Sequence, residues 1–171
     1  MATKEAMMEN PKVYPRLLVN PVHFLALGFG SGLARVAPGT FGTLAALPLL
    51  WLLHTQLSLL NYAAVTLLFS VVGVWICRYT ANALGVHDHP AIVWDEVCGI
   101  LIAMVALPLT WWNVLLAFAL FRFFDIVKPG PIGWCDRNLH GGLGIMIDDI
   151  LAGVAAGATL HLGYALLNTF Q

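Results

Sequence analysis

The chain is short of charge. Lysine, arginine, aspartate and glutamate make up 10% of its 171 residues, where a soluble domain carries roughly 25%. Hydrophobic residues make up 60%. That balance points away from an ordinary soluble domain and toward a membrane-embedded bundle. The formal net charge is −1, so no basic field for nucleic acid is present. Cysteine is scarce as well: Cys77, Cys98 and Cys135 are widely spaced and form no CxxC pair. They imply neither a disulfide framework nor a zinc site and read as small core thiols. The opening "MATKEAMMENPKVYPRLL" lacks an apolar stretch with a small-residue cleavage site. Residues 1–19 therefore read as a mobile or interfacial arm and not as a signal peptide. Residues 20–171 read as one helical domain.

What is present is a set of long uncharged runs. No charge falls between Arg35 and Arg78, a gap that fits a helical hairpin turning at "HTQLS", residues 54–58. A second run from Val97 to Phe121 is interrupted by "LPLTWWN", with Pro108 and Asn113 bracketing a turn. The third, Ile150 to Gln171, suits a single pass. A span needs about 20 apolar residues. The segments near 57–77 and 150–169 meet that length. Those near 43–54, 97–108 and 111–121 are short, and are expected to be tilted, shielded by neighbours or only partly inserted. The expected fold is all-α, a compact membrane-embedded bundle of about five or six helices.

If successive helices alternate in direction, the turns at 54–58 and 108–113 and the C-terminus share one side. None of them carries a charge. The opposite end receives Arg35, Arg78, Asp88, Asp95, Glu96, Arg122, Asp125, Lys128, Asp136, Arg137, Asp148 and Asp149. By the positive-inside rule that end is cytoplasmic. Trp51, Trp111 and Trp112 are then expected at the far interface, and Trp75, Trp94 and Trp134 at the near one.

Three acidic stretches carry the chemistry: "IVWDEVCG", "FRFFDIVKPGP" and "GIMIDDILAG". Asp95 and Glu96 precede an apolar run, where acidic residues also favour the positive end of a helix dipole. Asp148 and Asp149 repeat that arrangement, so one of them is open to a capping role. Arg122 and Asp125 share a helix face, with Lys128 three residues further on and Pro129 ending the helix. One such pair alone would be an ordinary intrahelical ion pair. Five carboxylates and two cations at one end of a small bundle repel severely without a bound cation. An all-oxygen donor set suits a hard ion, Mg²⁺ over Zn²⁺. Arg122 and Lys128 are then free to hold a phosphate.

"GFGSGLARVAPGTFGTLAALP" is a glycine-rich turn leading into a helix, with Thr40 or Thr43 as its expected N-cap. Its backbone N–H groups suit a phosphate, and Thr40 is a candidate contact. It is neither a P-loop nor a dinucleotide fingerprint, because the lysine, the spacing and a preceding strand are missing. "VHDHP" resembles a His-x-His metal motif but reads better as a loop. His140, in "RNLHGGLG", is a candidate for proton transfer or phosphate contact.

Together "GFGSGLARVAPGTFGTLAALP", "VHDHPAIVWDEVCG" and "FRFFDIVKPGPIGWCDRNLHGGLGIMIDDILAG" resemble the phosphatidylglycerophosphatase A family of bacterial membranes, over about residues 20–157. The resemblance implies Mg²⁺-dependent removal of the terminal phosphate of phosphatidylglycerophosphate, giving phosphatidylglycerol. It also implies an all-helical, multi-pass bundle in the inner membrane with a cytoplasmic-side site. The phospholipid then explains both characters of the chain: a greasy bundle for acyl chains and an acidic end for the phosphomonoester.

In the expected mechanism Asp95, Glu96, Asp125, Asp148 and Asp149 hold one or two Mg²⁺, with Asp95, Asp125 and Asp149 carrying the catalysis. Arg122 and Lys128 clamp the phosphate, and a metal-activated water attacks phosphorus. A carboxylate nucleophile forming an aspartyl phosphate is the alternative; the missing DxDx[TV] motif favours water. Two other classes stay in view. A membrane lipid phosphotransferase would carry the "DGxxAR" signature, which is missing. A small ion or phosphate transporter would place polar groups near mid-membrane across a repeat.

Overall fold

A computed structural model describes residues 15–86 and 88–169. Most of the expected arm, residues 1–14, and His87 of "VHDHP" lie outside the described residues. Every regular element within them is helical. A 3-10 helix at Pro15–Val19 precedes α1 (Pro21–Ala26), and a 3-10 segment at Gly28–Leu33 precedes α2 (Pro38–Gln56). Then come α3 (Leu59–Leu84), α4 (Trp94–Ala103), α5 (Trp111–Val127), α6 (Pro131–Asn138) and α7 (Gly141–Thr169). The described residues thus hold seven α-helices, more than hydropathy predicts. The surplus is α1 and α6, of 6 and 8 residues, which are too short to register as apolar runs.

Local chemistry sets the boundaries. Ser58 Oγ accepts from the Asn61 N–H at 3.4 Å to open α3, and Gly85 closes it at φ 69°. Thr110 Oγ1 accepts from the Asn113 N–H at 3.2 Å to open α5. Lys128 ends α5 in the left-handed region, φ 48°, just before Pro129. The sequence places that stop correctly.

The centre of the bundle is α4. Eight of its ten residues are buried, and it packs against α2, α3, α5 and α7. At about 15 Å long it falls far short of a bilayer core of about 30 Å. Shielding by its neighbours lets so short a segment be so apolar. Glycine brings α7 onto it backbone to backbone. A Cβ on Gly153 would stand 2.4 Å from the carbonyl oxygen of Gly99, and one on Gly157 3.1 Å from that of Ala103.

Two helices, α3 and α7, are long and apolar enough to cross a membrane. Both leave apolar side chains exposed, among them Leu60, Leu67 and Val71 on α3 and Leu162 and Leu167 on α7. The uncharged turns meet each other through side chains. His54 Nε2 hydrogen-bonds the Leu107 carbonyl at 2.9 Å, and His161 Nε2 that of Val105 at 3.0 Å. Tyr164 donates to Asn113 Oδ1 at 2.7 Å. Between Asp149 and Tyr164, α7 rises by about 22 Å. The charged groups of α7 and these neutral contacts therefore lie far apart along one helix.

One aromatic expectation needs correcting. Trp51, Trp75, Trp111, Trp112 and Trp134 are all more than half exposed, but Trp94 is 3% exposed. Its indole N–H donates to the Phe69 carbonyl at 3.2 Å, inside the core. It precedes two acidic residues yet faces inward, because α4 is enclosed by its neighbours.

Candidate active site

The apolar run beginning at Ile150 predicts a helix that starts beside Asp148 and Asp149. The helix instead starts at Gly141. Asp148 and Asp149 are therefore its eighth and ninth residues, two turns in from its end, where the backbone N–H groups are already paired. Neither can cap, and neither gains much from the helix dipole. They are nonetheless 7% and 3% exposed. Asp95 and Glu96 do stand in the first turn of α4, as their position before an apolar run predicts.

The tertiary fold brings all three acidic stretches to one cavity of about 260 Å³. Asp95 and Glu96 come from α4, Arg122 and Asp125 from α5, Lys128 from its end, and Asp148 and Asp149 from α7. Asp88, from the loop before α4, lines the cavity too. Ala37, Pro38 and Gly39 close one wall at the start of α2. Arg122 Nη1 lies 2.6 Å from Asp125 Oδ2 and 3.7 Å from Glu96 Oε1. Lys128 Nζ lies 2.5 Å from Asp136 Oδ1 and 2.7 Å from Asp148 Oδ2. Two cations thus face six carboxylates in one lining.

Several carboxylate oxygens are stranded. Glu96 Oε2, Asp148 Oδ1 and Asp149 Oδ2 are buried without a hydrogen-bond partner among the described residues. A buried, uncompensated carboxylate costs several kcal/mol. Asp95 accepts from the Glu96 N–H at 3.1 Å, but no cation contacts it among the described residues. Burial, with the Glu96 charge beside it, pushes the Asp95 carboxyl well above the usual carboxylate range. Burial raises Glu96 as well, against the pull of its neighbours Asp95 and Arg122. Lys128 behaves oppositely: burial works against its charge, yet its bonds to Asp136 and Asp148 hold its pKa above that of a free lysine. It stays charged.

These observations suit a hard divalent cation. All the converging donors are oxygens, and such an ion would offset their charge and occupy the orphaned lone pairs. Two groups offer one oxygen per residue, all within 4.8 Å of one another: Asp95, Glu96 and Asp149, and Asp125, Asp148 and Asp149.

Not every candidate lies there. The N-cap of α2 is Ala37, left-handed at φ 47°, in place of Thr40 or Thr43. Pro38 at the first helical position sets that boundary, and the Thr43 hydroxyl donates to the Gly39 carbonyl at 2.9 Å. Thr40 is not among the cavity residues; the segment contributes Gly39 instead. A Cβ there would stand 2.1 Å from Glu96 Oε1 and 3.0 Å from Arg122 Nη1. His140 lines a different cavity, with Arg78, Asn82 and the first residues of α7. Asp88 is the lining residue that the loop reading of "VHDHP" passes over. Its adjacency to "IVWDE" was the available signal.

A family model described as phosphatidylglycerophosphatase A matches residues 24–164. The chain belongs to this family. Phosphatidylglycerophosphatase A of Escherichia coli (strain K12) is 52% identical over 143 residues, 83% of either chain. The protein of that name from Haemophilus influenzae is 48% identical over 151 residues, covering 88% of this chain and 93% of the relative. A Bacteroides thetaiotaomicron protein, named provisionally as a phosphatidylinositol-3-phosphatase, is 39% identical over 86% of this chain and 91% of its own. No solved structure matches the chain. Membership in the phosphatidylglycerophosphatase A family makes the protein a phosphatase of phospholipid metabolism. The family match contains every charged residue of the cavity and ends short of the N-terminal arm.

Proposed function

We propose that this chain hydrolyses the terminal phosphomonoester of phosphatidylglycerophosphate to phosphatidylglycerol, in an Mg²⁺-dependent reaction at the acidic cavity. The observation that carries the reading is the convergence of stranded buried carboxylates with Arg122 and Lys128 in one small cavity. A carboxylate cage without cationic side chains would suit ion storage. One with them suits an ion together with a dianionic phosphate.

Asp95, Glu96, Asp125, Asp148 and Asp149 would hold the metal. When bound, Mg²⁺ supplies Lewis-acid neutralisation of phosphate charge and activation of the attacking water. Arg122 reaches the cavity from the last turns of α5, and its Nε has no hydrogen-bond partner among the described residues. That donor is available to a phosphate oxygen. Lys128 presents a charged ammonium beside Asp148 and can turn a proton toward an incoming oxygen without leaving its ion pair. Asp88 adds an exposed carboxylate to the lining.

The setting is the bacterial inner membrane, with several helices embedded and the charged end toward the cytoplasm. The apolar faces of α3 and α7 supply lipid contact. The charge-poor turns at the far end of α7 support the orientation through the positive-inside rule.

Phosphate release from phosphatidylglycerophosphate in detergent micelles tests the reading. Release with Mg²⁺, abolished by EDTA and reduced by orders of magnitude in Asp149→Asn, is the expected result. Unchanged release by wild type in EDTA would remove the metal, and no release by folded wild type would remove the reaction.

A further inference from the structure

The carboxylates of the cavity form two overlapping sets. Asp95 and Glu96 in the first turn of α4 meet Asp149 on one side, and Asp125 and Asp148 meet it on the other. Only Asp149 belongs to both. We propose that the cavity is built for two hard divalent cations, with Asp149 as their common ligand. One position consists of Asp95, Glu96 and Asp149, the other of Asp125, Asp148 and Asp149. This rests on the metal-dependent phosphatase reading and specifies its site.

The stranded oxygens support two positions over one. Among the described residues Glu96 Oε2 has no partner in the first set and Asp148 Oδ1 none in the second, and Asp149 Oδ2 is available to either. A single ion drawn to one set leaves a buried oxygen of the other unpaired, with the penalty that entails. A carboxylate has two oxygens and several lone pairs, so one aspartate can serve two ions. Ions in two-metal hydrolases stand about 3.5–4 Å apart, a spacing that a shared carboxylate spans. The position of Asp149 follows from packing. Its backbone carbonyl would lie 3.1 Å from a Cβ on Gly99, so α7 is seated hard against α4 at that residue.

The two positions differ in their company. Asp125 and Asp148 each carry a close cation, Arg122 at 2.6 Å and Lys128 at 2.7 Å. Among the described residues, the first set has only one contact of this kind, Arg122 with Glu96 at 3.7 Å. A divalent ion entering the second position must compete with both side chains. The first position therefore binds more tightly, and the second fills later.

The test is titration of the full-length, metal-free chain in detergent with Mn²⁺, followed by calorimetry and electron paramagnetic resonance. Wild type is expected to bind two Mn²⁺ in two steps, the second broadening the signal of the first by spin coupling. Asp125→Asn should retain one ion with an uncoupled spectrum. Asp149→Asn should weaken both steps by about ten-fold or more, with circular dichroism confirming its helices. A stoichiometry of one in wild type overturns the inference, whatever the variants do. So does an Asp149→Asn chain that keeps one ion at full affinity. A chain that binds two coupled ions but releases no phosphate keeps the two-ion site and loses the phosphatase reading. One that turns over with a single ion does the reverse.

Discussion

Lys128 Nζ sits 2.7 Å from Asp148 Oδ2, across 20 residues of chain that include the whole of α6. The same ammonium holds Asp136 on α6. One side chain at the end of α5 thereby fastens α6 and α7 to the cavity. It also supplies a cation beside two of the carboxylates.

Lys128→Met removes that cation while preserving most of the side-chain volume. With its donor lost, kcat/KM for the lipid phosphate is expected to fall by about 10²–10³-fold. Lys128→Arg, which keeps the charge, should recover part of it. Both are read from initial rates of phosphate release at saturating Mg²⁺. Wild-type rates in Lys128→Met would remove the residue from the phosphate site.

Gly39 tests the wall formed by α2. A methyl group at this position overlaps Glu96 Oε1, 2.1 Å away, so Glu96 has to move. A misplacement of about 1 Å in the groups around a reacting centre can cost about 10²-fold in rate. Gly39→Ala should lose activity on that scale while its circular dichroism stays that of wild type. A fully active variant would show that the position of Glu96 is not critical.

A pH dependence follows from Asp95 and Glu96, whose carboxyls burial raises above the ordinary range. A group with a raised folded-state pKa holds its proton more tightly when folded. Its stabilising contribution is complete below its unfolded value, about 4, and is lost as pH rises through the folded value. Metal-free protein in EDTA should therefore melt at a lower temperature at about pH 8 than at about pH 5.5. Mg²⁺ binds the ionised form, so saturating Mg²⁺ should shrink or reverse the trend. Melting temperatures with and without EDTA at the two pH values decide it.

Gly153 tests the α4–α7 seam. A Cβ there meets a backbone carbonyl 2.4 Å away, and a backbone cannot turn aside as a side chain can. Gly153→Ala is expected to destabilise the protein by about 1–3 kcal/mol. It should also weaken Mg²⁺ binding, because Asp149 lies one helical turn away on α7. Thermal unfolding and Mg²⁺ titration of activity measure the two effects.

Much of the candidate site was legible before the fold. "WDE", "FRFFD" and "IDD" stand out because carboxylates beside apolar runs need a reason, and the cavity gathers all three. The stop at Lys128–Pro129 was legible because proline cannot continue a helix. The helix carrying Asp148 and Asp149 was harder to see. Its first turns, "GGLGIMI", look like a loop by glycine content, but Gly142 and Gly144 are buried within it. Gly142 would set a Cβ 1.8 Å from the Val74 carbonyl. Packing against α3 there outweighs the weak helix propensity of glycine.

The sequence by itself determined the kind of protein this is. Its apolar runs required an all-helical bundle, and its clustered carboxylates with two cations pointed to the ion and phosphate site proposed above. Both follow from composition and local spacing, because burial of apolar side chains and repulsion between like charges do not depend on the path of the chain. Only the tertiary structure decided which groups meet. It buried α4 at the centre, extended α7 past its aspartates, sent His140 to another cavity and brought Gly39 and Asp88 to this one. Those outcomes depend on how closely helices approach at Gly99, Gly142 and Gly153, contacts between residues distant in sequence that no local pattern encodes.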